Sequence, residues 1–72
     1  MTAEIFYWMQ TAYMGFGETR HPEIVMKELA KKHDFKILEA TPYTILNGWK
    51  YVIEFENAPI LPGYIEMKAV NQ

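Results

Sequence analysis

Apolar and polar positions alternate most cleanly between Tyr43 and Phe55, where two β-prone runs flank Asn47-Gly48. Asn-Gly in that setting is a strong hairpin signal, because a type I′ turn needs positive φ at both central residues and these two tolerate it. Such a turn predicts Leu46 opposite Trp49, Thr44 opposite Tyr51, Pro42 opposite Ile53 and Ala40 opposite Phe55. Leu38, Ala40, Leu46, Trp49, Tyr51, Ile53 and Phe55 then share one face. The other carries Glu39, Thr41, Tyr43, Ile45, Lys50, Val52, Glu54 and Glu56 and is mostly polar away from the turn. The first face is expected to be core and the second partly solvated.

Glu4–Met14 gives a weaker signal. Read as a strand, its faces are Ile5, Tyr7, Met9, Thr11, Tyr13 and Phe6, Trp8, Gln10, Ala12, Met14, neither of them polar. A helical stripe of Ile5, Trp8, Met9, Ala12 and Phe16 is also acceptable, and periodicity does not arbitrate. The aromatic content favours a strand, central in its sheet or buried against another subunit. Gly15-Phe16-Gly17 ends it.

Pro22 to His33 reads as a helix. Pro22 suits the first helical position, Glu23 the first turn, and Lys31, Lys32 and His33 the last. Val25, Met26, Leu29, Ala30 and His33 make the inward stripe, with Glu23–Lys27 and Glu28–Lys32 as outer pairs. Asp34 stops it. Phe35–Thr41 resumes an extended pattern, Pro42 marks an edge or a bulge, Asn57–Gly63 is a stiff loop, and Tyr64–Val70 alternates as a last strand. The expected fold is therefore α+β, one helix on a mostly antiparallel sheet in the order β-α-β-β-β, as one domain over residues 1–72.

Composition changes this picture in one respect. A chain of 72 residues with 50% apolar and 15% aromatic content has more apolar surface than so small an interior hides. Without cysteine it has neither disulfides nor a Cys/His zinc cluster, so oligomerisation or a partner is the remaining staple. The net charge is −2 and the lysines gather near the helix, unlike the dense cationic face of a duplex-DNA binder. The missing cysteine fits a reducing cytoplasm. The apolar run Ile5–Met9 is too short for a secretory signal or a membrane span, so a cytoplasmic protein is expected.

Candidate chemistry is sparse. Gly15-Phe16-Gly17 before a helix lacks the rest of a phosphate-loop motif and reads as a turn. Thr19, Arg20 and His21 ahead of the helix N-terminus are a weak anion-binding candidate. His21 with Glu18 or Glu23 is the acid–base pair available to an enzyme. His21 and His33 lie ~18 Å apart along the helix, too far to share a metal. No serine or cysteine is present to act as a nucleophile. Glu54 and Glu56 read as a solvated acidic edge.

Tyr7, Trp8, Tyr13 and Tyr43 are the aromatic residues least easily absorbed by a core, and Tyr and Trp suit protein interfaces. The expected function is a small non-catalytic protein-binding module (an accessory subunit, regulator or inhibitor) that presents an aromatic sheet face or edge and self-associates. It needs no cofactor or metal. The alternatives are a homo-oligomer that binds a planar aromatic small molecule at subunit contacts, and a small enzyme built on His21.

Overall fold

The computed structural model describes residues 1–43 and 47–71. Within them the chain forms β1 (Thr2–Trp8), α1 (Met9–Phe16), α2 (Pro22–His33), β2 (Lys36–Tyr43), β3 (Gly48–Glu54) and β4 (Ile65–Asn71). The strands make one antiparallel sheet in the order β2-β3-β1-β4. The fold is α+β, with two helices where the pattern predicts one.

Every second residue of β1 enters the core: Ala3, Ile5 and Tyr7 are buried together with Tyr51 and Ile53 of the neighbouring β3. Ala12 of α1 and Val25 and Met26 of α2 close over them. The helices therefore lie on one side of the sheet. As its doubly apolar pattern predicts, β1 is a central strand, between β3 and β4.

The extended reading of Glu4–Met14 holds only as far as Trp8. From Met9 the chain is helical, and it stops at Gly17, whose φ of 69° is left-handed; the Gly17 N–H donates to the Tyr13 carbonyl and the Glu18 N–H to that of Ala12. The break follows composition. Aromatic and β-branched residues dominate up to Trp8, whereas Met9, Gln10, Ala12 and Met14 are good helix formers. Pro22–His33 has the expected bounds. It starts at a His21 cap, and Asp34 ends it at φ 57°. Of the two outer pairs, Glu23–Lys27 forms at 3.1 Å, while Glu28 goes to Arg20.

The hairpin departs from expectation in register. Tyr43 stands opposite Gly48, Pro42 opposite Trp49 and Ala40 opposite Tyr51, four positions along β3 from the pairing a two-residue turn would give. Leu46 and Thr44, expected opposite Trp49 and Tyr51, lie outside the described residues. Asn47 does take positive φ, 53°, but Gly48 belongs to β3 rather than to a two-residue turn. A Cβ on Gly48 would sit 2.7 Å from the Tyr7 carbonyl oxygen and 2.8 Å from the Phe6 ring. The glycine is needed for that close approach.

A shift by an even number keeps every side chain on its face. A bulge between Ile37 and Glu39 does not: it turns Ile37 to the core opposite Ile53 and leaves Leu38, the expected core residue, half exposed. A second bulge in β4 sets Met67 opposite Ile5 and Ala69 opposite Glu4, so Ala69 does not continue the Ile65, Met67 face. Ile53 and Phe55 are buried as expected, and Trp49 is half-buried. Pro42 lies on an edge strand, where a missing N–H costs little. No described helix is long and apolar enough to cross a membrane.

The phenol groups of Tyr7 and Tyr51 are buried without a hydrogen-bond partner among the described residues. Burial, with the nearby Glu23 charge, pushes the Tyr51 phenol up to about 12. The Tyr7 phenol is raised too, by burial and then by Tyr64 and Glu18. Raised phenols favour the neutral form in the fold. Their contribution is whole below the unfolded value of about 10 and is lost as pH climbs through the folded value. Urea unfolding at a series of pH values should therefore show stability falling above about pH 10, and falling less steeply in Tyr51→Phe. At neutral pH, Gly48→Ala should lose about 1–3 kcal/mol in the same measurement, because Phe6 and the Tyr7 carbonyl must give way.

Candidate functional site

The residues of β1 that do not enter the core point to the sheet face opposite the helices, where Glu4, Phe6 and Trp8 follow one another. Gly48 opposite Trp8 leaves room for the Phe6 ring to lie flat across β3. Trp8 stacks on Phe6 with ring centroids 4.6 Å apart at 28°, and Tyr43 meets Phe6 edge-on at 5.0 Å and 84°. Both geometries are favoured for aromatic pairs. Phe6 is only 7% exposed although it stands outside the main core. It is the centre of a small second cluster on a face that no described helix covers.

Charges surround this cluster. Lys68 places its ammonium 5.9 Å from the centroids of both Phe6 and Trp8, within cation–π range. Glu66 accepts a hydrogen bond from the Trp8 indole Nε1 at 3.3 Å and lies 3.5 Å from the Lys68 Nζ. Lys50 pairs with Glu4 at 3.0 Å, and the hydrogen bond to that carboxylate holds its ammonium above the usual lysine value. All four charged side chains are well exposed. The result is an aromatic centre with charges of both signs beside it.

The four aromatic residues singled out in the sequence have different fates. Trp8 and Tyr43 come together here around Phe6. Tyr7 is 1% exposed beneath the helices. Tyr13 lies on α1, where it is exposed along with Met14 and Phe16. Phe6 and Lys68 escaped the sequence reading. Phe6 carried a signal, since residues two apart in a strand share a face. Lys68 carried none, because only the pairing of β4 with β1 brings it there.

The segment Thr19, Arg20, His21 is occupied by its own neighbours. Arg20 donates from Nε to Glu18 at 2.9 Å and is also paired with Glu28. The hydrogen bond from Arg20 holds the Glu18 carboxyl below its ordinary value. His21 caps α2, its Nδ1 accepting from the Glu23 N–H at 3.1 Å, and its ring meets Trp49 edge-on at 5.5 Å. The helix N-terminus is thus satisfied from within. The carboxylates considered as partners for His21 are engaged elsewhere, Glu18 with Arg20 and Glu23 with Lys27. No three His, Cys, Asp or Glu side chains among the described residues gather as a metal site.

Against known proteins, no family model matches the chain, and no curated protein or solved structure matches it at a significant level. The geometry alone therefore guides the functional reading. A capping role for His21 makes a definite prediction: His21→Ala should cost about 1 kcal/mol in thermal or urea unfolding, the usual loss for a helix cap. A much larger or absent effect would contradict that assignment.

Proposed function

We propose that this chain is a non-catalytic protein-binding module, an accessory subunit, regulator or inhibitor, whose docking surface is the open sheet face around Phe6, Trp8 and Tyr43. The carrying observation is the aromatic cluster at the middle of a face that no described helix covers. A strand side chain turned away from the core is ordinarily polar, and three rings there need another reason. Rigid Trp and Tyr rings with a polar tip are the residue types that anchor protein interfaces. The mixed charges around them supply the polar rim that such interfaces carry.

The exposed Tyr13, Met14, Phe16 and Ile60 show that apolar surface is left over elsewhere as well. Those residues stand apart from the ring cluster, Phe16 meeting Tyr64 edge-on at 5.2 Å instead. Tyr13→Ala therefore serves as the control.

The test compares wild type, Trp8→Ala and Tyr13→Ala in sedimentation and in capture of bound protein from the native host extract, with circular dichroism to verify folding. Trp8→Ala should weaken association at least about tenfold, as loss of an interface anchor does. Tyr13→Ala should leave it unchanged. If Trp8→Ala keeps every association of the wild type, the docking surface is elsewhere.

A further inference from the structure

A second site lies on the helix side of the sheet, away from the open face, and stands independently of the docking role proposed there. α2 sends Val25 and Met26 into the core, but along the edge strand β2 only Ile37 packs against it. Ala40 is on the same side, opposite the buried Tyr51, and is nevertheless exposed. The helix layer therefore stops short of the sheet edge, and a methyl group is too small to fill the gap. What remains is an open-mouthed cavity of about 320 Å³ between α2 and the strands β2 and β3.

We propose that this cavity binds a neutral, planar aromatic molecule of two fused rings that carries a hydrogen-bond acceptor. Its volume is at the small end of the range for small-molecule sites, ~300–1,000 Å³. Trp49 and Tyr51 form one wall, their rings within 20° of parallel and their centroids 6.1 Å apart. Met26 of α2 and Ile37 and Ala40 of β2 complete the apolar lining. Aromatic rings and a thioether are good neighbours for a flat ring system, which packs against them by face or by edge.

The polar groups set the rest of the ligand's chemistry. Glu23 and Lys27 border the cavity, are well exposed, and pair with each other at 3.1 Å, so together they offer no net charge to an occupant. A neutral ligand matches that rim. The Tyr51 phenol is shut off from water, has no hydrogen-bond partner among the described residues, and lies close enough to Glu23 to feel its charge. An unpaired buried hydroxyl is costly, and a neutral phenol has a proton to donate. A ring nitrogen or carbonyl brought against this wall supplies the acceptor that it lacks.

The test titrates isotope-labelled protein with quinoline and with naphthalene, and follows the indole N–H signals of Trp8 and Trp49 by NMR, told apart with Trp8→Ala. Both probes should move the Trp49 signal and leave that of Trp8, with quinoline dissociating on the order of 100 μM, as so small a probe allows. Tyr51→Phe should weaken quinoline about fivefold and leave naphthalene unchanged, since only quinoline carries an acceptor. Ala40→Phe fills the cavity from an exposed position, so it should abolish binding of both while the remaining amide spectrum shows the fold intact. If quinoline leaves the Trp49 signal in place, moves that of Trp8 instead, or binds Ala40→Phe as it binds wild type, the cavity is not the site. If Tyr51→Phe weakens both probes alike, or neither, the proposed ligand chemistry is wrong. None of these outcomes bears on the association measured with Trp8→Ala.

Discussion

β1 has to satisfy two surfaces at once. A strand turns successive side chains to opposite sides, so Ala3, Ile5 and Tyr7 can be buried under the helices only if Glu4, Phe6 and Trp8 face away from them. In most helix-covered antiparallel sheets the second set is polar. Here it carries a phenylalanine and a tryptophan, and the rest of the open face is arranged around them. Gly48 opens space for the Phe6 ring, Tyr43 closes its edge, and Lys68 and Glu66 approach from β4.

The same strand links the two sides energetically. A Cβ on Gly48 would strike both the Phe6 ring of the open face and the carbonyl of Tyr7, whose side chain is core. Closely packed interiors tolerate little added volume, so a change on the open face is felt by the strand that anchors the core. This coupling suits a small sheet in which β1 pairs with strands on both sides. It also fits the docking role proposed for this face, since ordered rings lose little entropy on binding.

Much of the fold was legible because its signals are local. Pro22 to His33 could be bounded from a proline, a charge bias and an inward stripe, all within four turns of chain. The alternation in β3 and the central place of β1 followed from period two. What escaped depended on contacts distant in sequence. The first bulge put Ile37 rather than Leu38 in the core, because Ile53 offered it a place. The Asn47-Gly48 signal predicts a two-residue turn, whereas Gly48 answers to a ring 42 positions away in sequence. In the candidate site, Trp8 and Tyr43 were visible as surplus aromatics. Nothing nearby in sequence separated them from Tyr7, which lies on the other side of the same strand.

From sequence alone come the α+β class, the second helix's limits, the faces of β3 and an excess of ring surface. Each depends on periodicity or on residues within a few positions of one another. The tertiary structure decided which rings the excess consists of and which charges stand beside them. It did so by choosing β3 and β4 as the neighbours of β1. Pairing between strands is set by the combined burial of many distant residues, and that sum is completed only when the sheet assembles.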